Sequence, residues 1–416
     1  MHLYLSRFRT RLSPVMLVAT VAALVGGAFP AVLSATPAGA STPHGTPIVV
    51  GVIADESAGA VGSSQDIPNM MAAWEKYTNA HGGINGHPVQ YINKDEQVNS
   101  ATGTAAVESF IQSDHVVAIM DNGSIDSTWA QIPAAAHVPV ISLNESAAGL
   151  TYESQPDFFA DGTTVLGILY GHVAMAATAG KKVFGGIYCT EVAQCAQAVG
   201  VWKNDVKIIP GIKFGGAVAA SETAPSYTAQ CLTMKEAGVD ALFPAGPPPG
   251  TISTNCAQQG YHPLFIGSEG TITNADITNP NLNGALQNEQ GFPWFLRSTP
   301  AEKTFQAAEG KVWPNSTTPA EISAGWTGLQ LLGAALAHVP ANQTVTSQDV
   351  LTGLYALHGT TLGGLSPTPI TFTQGKPSTQ RCYFVVQVKN KKWVAYGGGK
   401  PQCEPTKDYQ TTTSSS

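Results

Sequence analysis

The stretch NAHGGINGHPVQYINKDEQ, residues 79–97, carries Gly82, Gly83 and Gly86. Glycines so spaced could cradle a phosphate, because backbone without Cβ atoms can bring its amides close to an anion. That chemistry needs the glycines to follow a strand and to open a helix, so that amides and helix dipole point at the ligand. Here the order is reversed. Ile67, Met70, Met71, Trp74 and Tyr77 recur at helical spacing before the glycines, and the strand pattern HPVQYIN comes after them. Gly82 or Gly83 therefore reads as a left-handed C-terminal cap, and Asn85-Gly86 as a turn into the strand. His81 and His87 flank the turn as surface residues. Elsewhere the sequence has no G-x-S-x-G, H-E-x-x-H or P-loop pattern, and its ten histidines are scattered. The chain does not read as an enzyme.

Cys189, Cys195, Cys231, Cys256, Cys382 and Cys403 are the six cysteines. There is no C-x-x-C, so a thiolate metal site is disfavoured. In an exported chain an even number reads as disulfides, and the order favours the local pairs 189–195, 231–256 and 382–403 among fifteen possible connectivities. Export is read from residues 1–40. Arg7, Arg9 and Arg11 precede the apolar run PVMLVATVAALVGGAF and then a small-residue site, which marks a signal peptide cleaved near Ala40. No cysteine lies there to carry a lipid. No later stretch reaches the ~18 apolar residues of a membrane span.

Without the leader's three arginines the formal net charge of −7 falls to about −10, and Arg297 and Arg381 are the arginines that remain. A nucleic-acid partner would need a basic surface, which this chain lacks. Several guanidinium forks around one ligand are equally disfavoured. Neither a cofactor nor a bound metal is expected.

These residues must be positioned by a repeating framework. PIVVGVI, HPVQYIN, HVVAIM and VPVISL read as strands, separated by helix patterns that include ATGTAAVESFIQ and STWAQIPAAA. This is repeated βαβ, hence an α/β fold with a mainly parallel sheet and helices on both faces. A second series starts near residue 164: TVLGILYGHVAMAATAG, KVFGGIY, TEVAQCAQAVGVWKN, APSYTAQCLTMKEAG, DALFPA and PLFIG. Three further helices and the strands TPITFT, RCYFVVQV and KKWVAY follow, and residues 404–416 form a polar tail expected to be disordered.

The helix ending in N-A-x-G-G-I-N-G, the strand and the acidic residue after it resemble the type I periplasmic solute-binding proteins of the leucine/isoleucine/valine-binding class. The similarity extends to IVVGVIADESAG, NKDEQVNSATGTAAVESFI, VVAIMDNGSIDSTWAQIPAAAHVPVISLNES, GWTGLQLLGAALAHV and the closing LGGLSPTPITFTQGKP. The resemblance implies two Rossmann-like lobes joined by three crossing segments, one built from residues 45–160 plus 296–358 and the other from 161–295 plus 359–400. It also implies a monomer that takes a small-molecule ligand between its lobes and hands it to an ABC importer permease. The alternative is a sensor or scavenger uncoupled from transport.

Ligands of open α/β sheets sit beyond the carboxyl ends of the strands. By resemblance, the loop DNGSIDS supplies Asn122 and Ser124, and LNESAAG supplies Asn144, Glu145 and Ser146, for a ligand carboxylate. Hydroxyls and amides can hold such a group without arginine, and the same residues could instead cap helices. In the second lobe Glu269 of GSEGT matches the glutamate that pairs with a ligand amine; Glu191 and Gly246 are further candidates. Amino-acid binders close tyrosines over the ligand, but here the matching positions hold Gly62, Ala193, Pro247 and Pro248. Phe292 or Trp294 could supply an aromatic contact, or belong to the core.

Overall fold

The computed structural model describes residues 42–57, 65–145, 150–191 and 193–405. The leader, Gly62, Ser146 and residues 406–416 of the tail lie outside them. Two parallel sheets organise the chain. The first has the order β2-β1-β3-β4-β5, from β1 (Ile48–Ala54), β2 (Val89–Asp95), β3 (Ala118–Asn122), β4 (Val140–Ser142) and β5 (Phe158–Phe159). The second runs β14-β13-β10-β9-β8-β6-β7, with β15 paired to β13. Its members are β6 (Val183–Cys189), β7 (Lys213–Ala220), β8 (Ala241–Ala245), β9 (Leu264–Ser268), β10 (Leu286–Glu289), β13 (Cys382–Lys389), β14 (Lys392–Ala395) and β15 (Gln402–Cys403). β13 and β14 run antiparallel. A separate ribbon joins β11 (His358–Thr360) and β12 (Ile370–Thr371).

Apolar residues covered on both faces explain the central strands. Ile48, Val50, Val52 and Ile53 of β1 are all fully buried, the mark of a strand between helix layers. One layer holds α1 (Ile67–Ala80), α9 (Pro319–Leu336), α8 (Pro300–Glu309) and α10 (Ser347–Ala356), whose Trp74, Trp326, Phe305 and Leu354 share a core with β1. The opposite layer holds α2 (Ser100–Gln112), where Phe110 packs with Ile53 and Trp129, and the short α3 (Gln131–Ala136). The second sheet is covered likewise. On one side lie α4 (Val165–Thr178) and α5 (Ala193–Ile208); on the other lie α6 (Thr228–Glu236) and α7 (Pro249–Gln258).

Caps set the helix ends. Asn99 accepts from the amides of Ala101 and Thr102 at 3.0 and 3.1 Å, and Thr299 and Thr346 form capping boxes with Glu302 and Asp349. The glycine turn is a cap as well: Gly82 and Gly83 have φ of 95° and 71°, and the Gly83 amide donates to Thr78 O at 2.9 Å. Asn85 then donates to the carbonyls of Ala337 and Val339. That ties the turn to the end of α9.

Several expectations change. His87 is buried rather than on the surface: its ring nitrogens meet Thr46 O at 2.8 Å and Pro340 O at 3.1 Å. Leu365, Ile370 and Phe372, expected with the second lobe, pack in the core of the first sheet, because the β11–β12 ribbon turns back on that side. Phe292 and Trp294 are buried in the same core. β7 escaped the sequence reading because five of the eight residues of KFGGAVAA are glycine or alanine, and its residues are mostly half-buried. The three disulfides are Cys189–Cys195, Cys231–Cys256 and Cys382–Cys403. Among the described residues no helix is long and apolar enough to cross a membrane.

A Cβ on Gly83 would stand 2.0 Å from His87 O, at a φ that L-residues rarely adopt. Gly83→Ala is therefore expected to destabilise the fold by about 1–3 kcal/mol. Urea unfolding of the variant beside the parent chain checks this.

Candidate functional site

The carboxyl ends of the strands carry acids rather than bases. Asp55 directly follows β1 and Glu96 directly follows β2; Asp121 lies in β3, Asp126 in the turn after it, Glu145 beyond β4 and Asp161 beyond β5. Glu269 follows β9, Glu289 closes β10, and Glu321 stands in the first turn of α9. All nine are buried. Among the described residues Arg381 is the one buried arginine, beside Glu404, and no lysine is buried.

Two knots of hydrogen bonds organise these groups. In the first, Glu96 Oε1 accepts from the amides of Ser124 at 2.9 Å and Ile125 at 3.3 Å, and its Oε2 accepts from Trp129 Nε1 at 3.0 Å. Asp121 accepts from the Gly123 amide at 2.9 Å and from the Tyr152 hydroxyl at 3.1 Å. The approach is so close that a Cβ on Gly123 would lie 2.3 Å from Glu96 Oε1. In the second knot Gln290, directly after β10, is the centre. Its Oε1 accepts from the Glu145 amide at 2.7 Å, its Nε2 donates to Asp161 at 3.1 Å, and its own amide donates to Glu269 Oε2 at 3.0 Å. The Asp161 amide donates in turn to Glu145 Oε1 at 3.0 Å. Gln290 thus joins loops of the first sheet to a loop of the second. Gln194 of α5 adds another bridge, donating to Ser124 O at 2.8 Å.

Burial without cations displaces the ionisation of these groups. Desolvation disfavours a carboxylate, and neighbouring carboxylates disfavour it further. Glu96 is raised to about 8, first by burial and then by the charges of Asp55 and Asp121. Asp121 is raised to about 7, and Asp161, Glu289 and Glu321 to about 8, each chiefly by burial. Asp126, Glu145 and Glu269 are pushed well above the usual carboxylate range by the same cause. Glu269 also feels Glu289, Glu321 and Asp161, and Asp121 feels Glu145, so the two knots form one electrostatic chain.

The sequence candidates fall into three groups. Asn122, Ser124, Asn144, Glu145 and Glu269 are all buried at the strand ends, with Ser124 in the first knot and Glu145 and Glu269 in the second. Gly246, after β8, is half-buried with φ 99°. Glu191 is exposed: its carboxylate accepts from Ser221 Oγ at 2.6 Å and from the Glu222 amide at 3.1 Å. The Ser221 hydroxyl holds it below the usual carboxylate range. Sequence reading missed Gln290, Gln194 and most of the acids. Glu96 and Asp121 stood inside quoted loops and could have been flagged by their strand-end positions. Gln290 was hidden because β10, LQNE, reads as polar although every residue of it is buried.

Residues 47–392 match the family model described as "Periplasmic binding protein". With its two parallel sheets, the chain belongs to the type I periplasmic binding protein family. Solved structures agree in fold. An extracellular ligand-binding receptor from Verminephrobacter eiseniae is 18% identical with a TM-score of 0.71, over 84% of this chain and 99% of that one. A fatty acid ABC transporter substrate-binding protein from Thermomonospora curvata is 17% identical with a TM-score of 0.71, over 91% and 97%. A leucine-binding protein from Thermotoga maritima is 16% identical with a TM-score of 0.66, over 84% and 98%. No curated protein matches the chain.

The raised carboxyls make a pH prediction. A folded state that binds protons more tightly than the unfolded chain gains stability fully present below pH ~4 and lost as pH rises through the folded values. These are about 7 for Asp121 and about 8 for Glu96, Asp161, Glu289 and Glu321. The melting temperature of the ligand-free protein is expected to fall steadily from pH 5 to pH 9. Calorimetric scans across that range check it.

Proposed function

We propose that the protein is an exported solute-binding protein that captures a small polar organic molecule and delivers it to an ABC importer permease. The two sheets with their helices act as two lobes, and the ligand enters between them where the strand ends meet. The observation that carries this reading is the Gln290 knot, in which one side chain and its backbone engage Glu145, Asp161 and Glu269 from both sheets. Such bridges between lobes are what a hinge makes and breaks on closing, and a ligand favours the closed state by touching both sides.

The charge of the site favours a ligand with an ammonium group, such as an amino acid or an amino amide. Buried carboxyls without basic partners are relieved by a cation and worsened by an anion. Two of the similar structures are named for a fatty acid and for a complex with 4-hydroxybenzoate; this chain's strand ends are ill suited to such acids. Glu269 is the group assigned to the ammonium, with Ser124 and the amides around Asn144 left for the polar remainder of the ligand.

A thermal-shift screen over amino acids, amides, urea and aromatic acids tests the reading, since a ligand stabilises the state it binds. Amino acids or their amides are expected to raise the melting temperature. Glu269→Gln is expected to weaken the best of them by roughly tenfold or more, the worth of a lost charge-assisted hydrogen bond. A preference for aromatic acids, or unchanged affinity in calorimetry, would remove Glu269 from the site.

A further inference from the structure

The second sheet separates its charges by end. Glu191, Glu222, Glu269 and Glu289 stand where its parallel strands finish. Lysines stand where those strands start. Lys181 and Lys182 lead into β6 and Lys213 opens β7, and the Lys213 amide donates to Lys182 O at 2.9 Å. The covering helices run back against the strands, so the last turns of α5 and α6 bring Lys207 and Lys235 to the same end. β13 is antiparallel and finishes there as well: Gly284, just before β10, donates to Val388 O at 2.7 Å. The hairpin from β13 into β14 then carries Lys389, Lys391 and Lys392. At about 4.8 Å per strand the row from β14 to β7 spans about 29 Å.

Lys181 is half-buried and the other seven lysines are exposed. Among the described residues none of them forms a salt bridge. The acids of this end are Glu236 and Asp240, and Asp240 turns inward to accept from the amides of Lys182 and Val183 at 3.0 and 2.8 Å. Lys207 and Lys235 have a plain structural reason, since cations suit the last turn of a helix. The hairpin lysines have none. Lys389 and Lys392 are directly opposed across the ladder, and like charges so placed repel. Asn390 and Lys391 have φ of 53° and 62°. A turn with two left-handed residues favours Asn-Gly, and a lysine in the second place carries the Cβ clash that glycine avoids. Stability alone would place glycine at 391 and an uncharged or acidic partner beside Lys389. What the observed hairpin achieves instead is three positive charges at one tip.

We propose that this end of the second sheet and its helices is a docking surface for an anionic lipid bilayer. Lysines are point charges without guanidinium forks, which suits attraction to many mobile headgroups rather than recognition of one fixed phosphate. A row about 29 Å long needs an extended partner, not a pocket ligand. Leu232 is the exposed large hydrophobic residue among the described ones, at 39%. It lies one turn before Lys235 on the same face of α6. A bilayer offers that side chain an apolar contact, which a soluble polyanion does not. The chain is acidic overall, but charges more than about 8 Å from the bilayer are largely screened at physiological salt, so the nearest ones decide. The surface lies at the opposite end of the strands from the buried acids and does not depend on the ligand proposed there.

Co-flotation of the chain without residues 1–40 with lipid vesicles tests this. Vesicles of phosphatidylcholine with about 40% phosphatidylglycerol should carry the protein at about 0.05 M salt and release it at about 0.5 M. Pure phosphatidylcholine vesicles should not carry it. Replacing Lys389, Lys391 and Lys392 together by Glu should weaken binding at least about tenfold. Lys303→Glu with Lys311→Glu, which alters lysines at α8 and just beyond it, should leave binding within about twofold of the parent. Lys391→Gly relieves the turn while removing one charge. It should melt no lower than the parent yet bind about fivefold more weakly, which separates lost charge from lost folding. The proposal is overturned if the parent does not float with the anionic vesicles, or floats equally with phosphatidylcholine. It is equally overturned if both hairpin variants bind as the parent does, or if the α8 control loses as much as they do. Soluble polyphosphate that binds the hairpin lysines more tightly than the vesicles overturns the assignment to lipid.

Discussion

The organisation of this protein depends on desolvated carboxyl groups gathered where strands end. An isolated carboxylate in a low-dielectric interior is far too costly to keep, so such groups shift toward the neutral acid or take hydrogen bonds from whatever donors are near. Here the donors are backbone amides, Trp129, Tyr152 and Gln290 rather than lysine or arginine. That choice matters for the binding role proposed above. Salt bridges would tie the two sheets more firmly; in the proposed role, amide donors between them leave a ligand able to shift the balance.

The framework around this acidic region is built differently. Covered strands and four tryptophans buried to 1% or less (Trp74, Trp129, Trp202 and Trp326) pack both halves, and three short-range disulfides brace the second. The disulfides lie within the second half of the chain, and each joins neighbouring elements. Cys189–Cys195 links the end of β6 to the start of α5, Cys231–Cys256 links α6 to α7, and Cys382–Cys403 links β13 to β15. None of them crosses between the sheets.

Much of the fold was legible in the residues themselves. Helical spacing in α1 and the β-branched run in β1 mark elements that must bury one face or two. The glycine turn shows its purpose by its order relative to helix and strand. The local cysteine order anticipated the three disulfides. The candidate site was less legible: Ser124, Glu145 and Glu269 stood in loops the resemblance had marked, but Gln290 and Asp161, which hold Glu145 and Glu269, carried no local signal. β7 and β10 were missed because glycine, alanine and buried polar residues do not make a hydrophobic pattern.

The sequence by itself determined the class of architecture, the oxidised cysteines, the acidic balance and the reading of the glycines as a cap rather than a phosphate cradle. Each of these follows from local spacing or from composition, which need no knowledge of distant contacts. Only the tertiary structure decided that Asp55, Glu96, Asp121, Glu145, Asp161, Glu269 and Glu321 share one buried region, and that His87 is an interior residue. Burial and the field of neighbouring charges depend on residues far apart in the chain being brought together, and no single stretch contains that information.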